Sequence, residues 1–363
     1  MSTFTAELTA ATTAMIDRTG VDEQTPARGF DSALWSLLDD ASFTMLALPE
    51  EAGGGGADLA DALAVATLAA QRGVLAPLIE HGILGGWLAA SAGHSVASST
   101  TTVALGRVTC TARTDGAATV LDGTVTDVPF AADAETVVVM LPPAAGETGS
   151  TVAVAPLSGS GVTISADTDL TGISLADITF DATPLRFHGH SQVTADEFAR
   201  RGALAYAAAT AGAARGAADQ TVRHASERTQ FGRPLTRFQA VQQRLASQAA
   251  LAAMMEIAVE DATAAADSDP AATAAAKAVT AMSAATVAAV AHQVHGALGT
   301  TSEHRLGRFT TMLWSWRDRC GAEQAWADHL GALVLDDGID VWDLVAGTTG
   351  PAEPSSNTKR SRS

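Results

Sequence analysis

The stretch Arg228-Thr-Gln-Phe-Gly-Arg-Pro-Leu235 joins two long helical patterns and organises the C-terminal half of the chain. Gly232 and Pro234 interrupt helices, so the first helix is expected to end before them and the next to begin near Phe238. The turn between them carries two guanidinium groups and an amide. Because guanidinium forms forked bonds to phosphate oxygens, this joint can hold an anion. An ordinary turn with solvated arginines is the plainer interpretation.

Helical periodicity lies on both sides of this joint. It predicts helices over roughly 195–228, 238–267, 271–295, 301–317 and 321–336. In the second of these, apolar residues at steps of three and four predict one buried stripe: Phe238, Val241, Leu245, Ala249, Ala252, Met255 and Val259. In the third, four residues are predicted to face the core: Val279, Met282, Val290 and Val294. Long Ala-rich helices with short links are expected to form a four-helix bundle.

The chain before the bundle divides into a helical part and a β part. Residues 1–100 are predicted to be helical, with Asp31 as an N-cap and Ile79–Ala92 as a buried helix. From about residue 101, short β-branched runs indicate the strands of a small antiparallel sheet or barrel. The predicted organisation is therefore an N-terminal helical domain at 1–100, a middle β domain at 101–190, a bundle at 191–350 and a disordered tail at 351–363.

Composition narrows the class of protein. Hydrophobic residues are 47% and charged residues 17%, as in folded globular proteins. The net charge of −18 argues against a nucleic-acid partner and against anionic membrane surfaces. Cys110 and Cys320 are too few for a disulfide framework, and the N-terminus lacks the pattern of a secretory signal. A cytoplasmic location is expected.

Two motifs together resemble those of the flavin-dependent acyl-CoA dehydrogenase family. The first is Glu227-Arg-Thr-Gln-Phe-Gly-Arg-Pro-Leu235 followed by Phe238-Gln239, which is similar to the helix joint of that family. The second is Gln293-Val-His-Gly-Ala-Leu-Gly299 followed by Thr301-Ser-Glu-His304, which resembles its other flavin-contacting motif. The distance between them along the chain also matches the family, and the combination is specific.

This resemblance implies a mainly α protein with a middle β domain, FAD as the cofactor and an acyl-CoA thioester as the substrate. In the family a carboxylate base removes a proton from Cα while the Cβ hydride moves to the flavin. The resemblance implies that six residues bind FAD, partly across a subunit interface: Arg228, Gln230, Phe231, Gln239, Gln293 and Gly296. Structural alternatives are that Phe231 is a core anchor and Gln293 a helix-face amide. The nearby histidines lack metal-ligand spacing, so no metal is expected.

The chain departs from the family at the catalytic base. Most members carry it as a Glu about two dozen residues after the glycine-rich motif, and a minority at the start of the first bundle helix. Here those positions hold Cys320 and Gly202. Cys320 is a conceivable base only if its pKa is strongly lowered, for which Arg319 gives slight support. Four carboxylates nearby are candidates, of which the second is interpreted as structural and the third as a salt-bridged surface group: Glu197, Glu303, Asp318 and Glu323.

A second departure lies in the middle domain. The family's Thr-Glu-x-x-x-Gly-Ser loop, which contacts flavin and substrate, is absent or heavily altered around Leu105–Asp115. Some members, notably in actinobacterial sterol degradation, are heteromers in which one chain lacks the base and parts of the flavin site. The leading interpretation is thus a subunit that helps to form the flavin site beside a catalytic partner chain in a heterotetramer, with a sterol side-chain CoA as a guess at the substrate. The alternatives are a self-sufficient homotetramer with an unusual base and a flavin-free structural or regulatory homologue.

Overall fold

The N-terminal part of the chain is helical. The computed structural model describes residues 3–20, 29–96, 99–116, 118–266, 268–336 and 338–346, so the tail predicted at 351–363 lies outside the described residues. The helices are α1 (Thr3–Thr19), α2 (Ser32–Asp40), α3 (Leu59–Gln71), a π-helical segment (Ile79–Gly86) and α4 (Trp87–Ser91). The buried helix predicted over Ile79–Ala92 is present, and its first half has π geometry.

Asp31 precedes α2 but does not cap it, so that prediction was wrong. Its side chain forms no capping hydrogen bond to the helix. Instead, Asp31 Oδ2 accepts the backbone N–H of Leu75 at 2.8 Å. The carboxylate is buried and holds the start of α2 against the turn that follows α3.

The middle part contains two four-stranded sheets. The strands are β1 (Thr101–Val103), β2 (Thr111–Asp115), β3 (Ala118–Pro129), β4 (Thr136–Leu141), β5 (Ser150–Pro156), β6 (Val162–Thr168), β7 (Ser174–Pro184) and β8 (Phe187–Ser191). One sheet has the order β1-β4-β5-β8 and the other β2-β3-β7-β6. Val125 and Ile178 of one sheet and Val137 and Ala153 of the other belong to one apolar core. The expectation of a purely antiparallel sheet was wrong, because β1 pairs with β4 in parallel.

The C-terminal part is a helical bundle. It comprises α5 (Ala195–Glu227), α6 (Gln239–Ala264), α7 (Pro270–His295), α8 (Leu306–Trp316), α9 (Glu323–Leu335) and α10 (Val341–Ala346), with the short strands β9 (Thr229–Gln230) and β10 (Arg233–Pro234) between α5 and α6. A capping box formed by Thr194 and Glu197 starts α5, which then packs along α3, α6, α7 and α8. The predicted fold class, mainly α with a middle β part, is confirmed; the domain boundaries stay predictions.

The predicted buried stripes are only partly right. On α6, Ala252, Met255 and Val259 are buried, but Ala249 is exposed and the earlier stripe residues are half-buried. No residue of α6 before Gln248 is fully buried, so the first half of the helix faces outward. On α7, Met282 is exposed because alanines such as Ala284 and Ala288 form the close contacts instead.

One stretch of the described residues, Pro270–Thr300, is long and apolar enough to cross a membrane by composition alone. More than half of its most apolar window, 56%, is buried against the rest of the fold. Core helices of bundles pass the same test, so the stretch is weak support for a membrane span.

Candidate functional site

The joint after α5 is a tight turn that projects from the fold. Gln230 pairs with Arg233 between β9 and β10, and Phe231 and Gly232 form the tip with φ values of 51° and 78°. The side chain of Phe231 is 91% exposed. Phe231 is therefore not an anchor in the core of this chain, and the alternative that made it one was wrong.

The fold brings both resemblance motifs to one end of the bundle. His224, one turn before Arg228 on α5, stacks on His295 at the end of α7 with ring centroids 4.3 Å apart. Because Gly296 directly follows His295, the ends of α5 and α7 adjoin at this point. The six residues predicted to bind the cofactor are all exposed there: Arg228, Gln230, Phe231, Gln239, Gln293 and Gly296.

This end of the bundle fits a ligand that carries phosphate groups. The Arg228 side chain is exposed, so its guanidinium is available to an anion. Gly232 and Gly296 have positive φ, and a Cβ built on either would meet no atom within 4 Å. A ligand can thus approach the backbone closely at both turns. The residues present are compatible with the pyrophosphate half of FAD.

The loop between β1 and β2 is closed onto β3. The N–H groups of Gly106 and Arg107 donate to Thr126 at 3.1 and 2.9 Å, and that of Thr109 donates to Thr124 O at 2.9 Å. A Cβ on Gly106 would lie 2.4 Å from Thr126 Oγ1, so the two segments are in direct contact. These N–H groups are already paired, which leaves them unavailable to a bound flavin.

The two positions where the family carries its base lie side by side. Gly202 is on α5, and Cys320 is in the turn between α8 and α9. A Cβ built on Gly202 would lie 2.6 Å from Cys320 Sγ. The thiol therefore occupies the space that a side chain at position 202 would need.

The surroundings of Cys320 disfavour the thiolate form that a base would need. Burial raises the pKa of its thiol to about 11, and the nearby Lys277 and Arg319 only partly offset this effect. The thiolate required for proton abstraction is then a very small fraction at pH 7. The condition stated for a Cys320 base, a strongly lowered pKa, is not met, because desolvation outweighs the lowering effect of Arg319.

A buried polar network fills the space beside these two positions. Tyr206, one turn after Gly202, donates its hydroxyl proton to Glu80 Oε1 at 2.5 Å. Arg319 Nη2 donates to Asp169 Oδ2 at 2.6 Å, and Arg319 Nη1 lies 3.6 Å from Glu80 Oε1. Burial raises the pKa of Glu80. Burial lowers the pKa of Arg319, but Tyr206 and the two carboxylates together outweigh this effect, so the net shift is upward. We call Glu80, Asp169, Tyr206 and Arg319 the Arg319 network.

Lys277 closes the same region from the side of α7. It is fully buried, and its Nζ donates to the carbonyl oxygens of Trp316 and Arg317 at 3.0 Å each. These are the last carbonyls of α8, which have no partner within the helix. Burial lowers the pKa of Lys277 to about 8. The lysine therefore caps α8 and holds the turn that carries Cys320.

None of the carboxylates proposed from the sequence belongs to this region. Glu197 caps α5, Glu303 is exposed, Asp318 is exposed beside Arg317, and Glu323 lies 3.8 Å from Arg317 at the surface. The buried carboxylate there is Glu80, which sequence reasoning missed. The available signal was one charged residue within the apolar run Leu75–Leu84.

Three histidines meet beside the joint: His224, His295 and His304, whose ligand atoms all lie within 4.8 Å of one another. His295 Nδ1 donates to Ala291 O at 2.8 Å, which leaves Nε2 as a bare acceptor. His304 Nδ1 accepts the N–H of Leu306 at 3.1 Å, so His304 carries its proton on Nε2. Binding of a metal ion by His304 would require the hydrogen bond from the Leu306 N–H to Nδ1 to be broken. Sequence reasoning missed this cluster, and the expectation of no metal stays a prediction.

The three-part architecture and the helix joint define the class, an acyl-CoA dehydrogenase-like fold. Residues 193–314 match the model of the acyl-CoA dehydrogenase C-terminal domain. Over 286 residues the chain is 31% identical to the acyl-CoA dehydrogenase IpdE2 of Mycolicibacterium smegmatis, covering 76% of this chain and 79% of that protein. The chain belongs to the acyl-CoA dehydrogenase family, an oxidoreductase family whose members usually bind FAD.

Solved structures share the whole fold. The ChsE4-ChsE5 complex from Mycobacterium tuberculosis matches with a TM-score of 0.82 and 21% identity, over 97% of this chain and 99% of that one. A steroid acyl-CoA dehydrogenase described as Tcur3481-Tcur3483 matches with a TM-score of 0.79 and 24% identity, over 92% and 98%. At these identities the likeness shows the fold alone.

Proposed function

We propose that this chain is the subunit of a heteromeric, FAD-dependent acyl-CoA dehydrogenase that completes the flavin site of a partner chain and carries out no dehydrogenation itself. The observation that carries the proposal is the state of the base positions. Gly202 has no side chain, Cys320 is a half-buried thiol with a raised pKa whose Sγ lies close to Gly202, and the Arg319 network occupies the adjoining space. No group at these positions can take a proton from a substrate Cα.

The joint gives the chain its role in this proposal. Arg228 and Gln230 would bind FAD phosphates through forked and amide hydrogen bonds, and Gly232 and Gly296 would let those phosphates approach the backbone. Gln239 and Gln293 would contribute further donors, and Phe231 would pack on the cofactor or on the partner chain. When bound, FAD supplies the hydride acceptor for dehydrogenation. The catalytic carboxylate would come from the partner.

A homologous acyl-CoA dehydrogenase chain is the partner that these features favour. The exposed first half of α6 and the exposed apolar Ile257 and Met282 present unpaired helix faces on the same bundle. The similarity to the ChsE4-ChsE5 complex and to a steroid acyl-CoA dehydrogenase supports a heteromeric enzyme that acts on a sterol-derived acyl-CoA. A heterotetramer in the cytoplasm completes the proposal.

The test is expression of this chain alone and together with a homologous chain that retains the Glu of the base. We expect the heteromer to carry flavin and to reduce an electron acceptor with an acyl-CoA. The chain alone should be colourless. A yellow homotetramer of this chain that oxidises acyl-CoA by itself would overturn the proposal, and a heteromer without flavin would favour the flavin-free alternative.

Glu80 is the group that a self-sufficient enzyme would have to use. It is buried beside the base positions, and burial raises its pKa. However, its Oε1 already accepts the Tyr206 hydroxyl and lies near Arg319. Replacing the base Glu of the partner chain by Gln in the heteromer distinguishes the two functions. All activity is lost if the partner supplies the base, whereas activity that remains and is then abolished by Glu80→Gln in this chain would assign the base to Glu80.

A further inference from the structure

A polar cavity of about 200 Å³ lies at the end of α5 that is far from the helix joint. Its walls come from the starts of α3, α4, α5 and α7 and from the turn after α6. Residues from these elements include Leu59, Trp87, Arg200, Ala266 and Thr273. Since a helix rises about 1.5 Å per residue, the start of α5 is about 40 Å from the joint along its axis.

The cavity and the base positions lie on opposite sides of α5. Arg200 and Leu204 line the cavity, and each is two residues away from Gly202. Because a helix turns by about 100° per residue, their side chains point about 160° away from position 202 around the axis. Position 202 faces Cys320. The cavity is therefore separate from the base positions, and the Arg319 network contributes no residue to it.

Two arginines give the wall of the cavity positive charge. Arg200 Nη1 pairs with Asp196 Oδ2, and the Arg200 side chain remains 24% exposed. Because a guanidinium carries five N–H donors, Arg200 can bind a second carboxylate from the cavity. Arg201 is held in place by its neighbours: Nε donates to Ile83 O at 2.7 Å, and Cζ lies 4.3 Å from the centroid of the Trp87 ring. Arg201 thus adds a fixed positive charge beside Arg200.

Glu197 gives the same wall a negative charge. Its side chain is exposed, and Oε2 accepts the N–H and the hydroxyl of Thr194 at 2.7 and 2.8 Å. These hydrogen bonds lower the pKa of Glu197, so the carboxylate is ionised at pH 7. Residues three apart on a helix are neighbours, yet Arg200 pairs with Asp196 and not with Glu197. The wall therefore presents a cation and an anion that do not neutralise each other by direct contact.

The rest of the wall is apolar. It is formed by Leu59, Trp87, Leu204 and Ala266. Leu59 and Trp87 are only half-buried, so a ligand that covered them would remove apolar surface from water. A cavity of about 150 Å³ is large enough to bind benzene, so this space admits a small organic molecule.

We propose that this cavity is a binding site for a small zwitterion with an apolar tail, of the class of the apolar α-amino acids. The carboxylate of the ligand accepts from Arg200, its ammonium group donates to Glu197, and its tail packs against the apolar wall. A ligand with only one of the two charges would leave the other charged residue of the wall without a partner, and it would bind more weakly. The proposal does not depend on the function proposed above.

The test is calorimetric titration of the purified full chain, and of its complex with the partner, with leucine at pH 7. Two analogues share the isobutyl tail of leucine and each keep one of its charges: 4-methylpentanoate has only the carboxylate, and isoamylamine has only the ammonium group. We expect leucine to bind at least ten times more tightly than either analogue and to raise the melting temperature.

Two variants place the binding in this cavity. Arg200→Gln removes the cation, and we expect it to weaken leucine binding at least tenfold. Arg72→Gln is the matched control, because Arg72 is also a partly exposed arginine, at 28%, in an ion pair with an exposed aspartate. We expect Arg72→Gln to leave the binding of leucine unchanged.

Glu197→Gln removes the anion but keeps the start of α5, since glutamine also serves in a capping box. In this variant we expect leucine to lose its advantage and to bind no more tightly than 4-methylpentanoate. A residue with only a structural role would not change the preference between these two ligands.

Four results would each overturn the proposal. They are no binding of leucine, an analogue that binds as tightly as leucine, leucine binding that is unchanged by Arg200→Gln, and a preference for leucine that persists in Glu197→Gln. None of these measurements involves flavin, so their failure is distinguishable from a failure of the proposed function.

Discussion

The Arg319 network and the helix joint each contain an arginine and an aromatic residue, but these side chains are largely buried in the network and exposed in the joint. In the network, Arg319 contacts Tyr206, Glu80 and Asp169, and all of these side chains are largely buried. In the joint, Arg228 and Phe231 are exposed and point away from the core of their own chain. The polar groups of the network therefore find their partners within the chain, whereas the side chains of the joint are free to contact a ligand or another chain. The groups of the network satisfy one another, whereas in the proposed function the joint is completed by FAD and a second chain.

The same comparison supports the proposal that the base positions carry no chemistry. A buried charge is tolerated when it is paired and hydrogen-bonded, and such pairs are difficult to separate. Using Glu80 as a base would require its release from Tyr206 and Arg319. At the joint no comparable interaction has to be broken before a phosphate is bound.

The largest expected effect comes from removing the centre of the network. Arg319→Met leaves Glu80 and Asp169 buried without their cation, and we expect a loss of about 3–5 kcal/mol in the free energy of unfolding. Arg72→Met is the control, since the ion pair of Arg72 with Asp17 is at the surface and is worth about 0.2–1 kcal/mol. Urea unfolding of both variants measures the difference. Equal losses would show that the network is not a structural unit.

The second effect is a pH dependence of the stability that comes from the buried His81. His81 accepts the N–H of Thr101 on Nδ1, and burial lowers its pKa to about 4 from 6.5. Between these values the unfolded chain binds a proton at this histidine and the folded chain does not, so stability falls as the pH falls from 6.5 to 4, by up to roughly 3 kcal/mol. His81→Asn should remove this part of the slope.

The difference in slope between His81→Asn and the wild type reports the contribution of His81 alone. Glu80 contributes equally to both proteins, and its raised pKa changes the stability in the opposite direction. His188→Asn, which changes an exposed histidine, should keep the slope of the wild type. The readout is the free energy of unfolding at pH 7, 5.5 and 4. An unchanged slope in His81→Asn would contradict the assignment.

The third effect tests the contact between the two base positions. Gly202→Ala forces a methyl group against Cys320 Sγ, and overpacking of this kind costs about 1–3 kcal/mol. Cys320→Gly removes the thiol and suits the positive φ of 53° at that residue. A double-mutant cycle should therefore show that Cys320→Gly rescues Gly202→Ala. The same cost in both backgrounds would mean that the two residues do not touch.

The smallest effect on stability is expected at the joint. Phe231 has a φ of 51°, which is unfavourable for a non-glycine residue. Phe231→Gly relieves this strain, and we expect the isolated chain to become more stable by up to about 1 kcal/mol. In the heteromer the same variant should lose flavin, because in the proposed function the exposed ring contacts the cofactor or the partner. Destabilisation of the isolated chain would place Phe231 in a packing role instead.

The sequence predicted the joint well because its signals are local. Gly232, Pro234 and the flanking helical periods lie within a short stretch, and the structure ends α5 at Glu227 and begins α6 at Gln239. The flavin role of the joint residues remains a prediction. The two base positions were also identified from the sequence, and the structure adds that they touch.

The Arg319 network could not be predicted, because its members come from four separate elements between Glu80 and Arg319. No spacing rule connects a π-helical glutamate, a hairpin aspartate and a tyrosine on α5. The outward stripe of α6 was missed for a related reason. Periodicity identifies an apolar face, but it does not show whether that face meets its own chain or another.

The flavin content of the purified heteromer tests the central claim most directly. Each pair of chains contains one intact base and, in this account, one complete flavin site to which Arg228 contributes. We predict one FAD for every two chains, and a loss of most of that flavin when this chain carries Arg228→Ala. One FAD for every chain, or flavin retained in full after Arg228→Ala, would contradict the account.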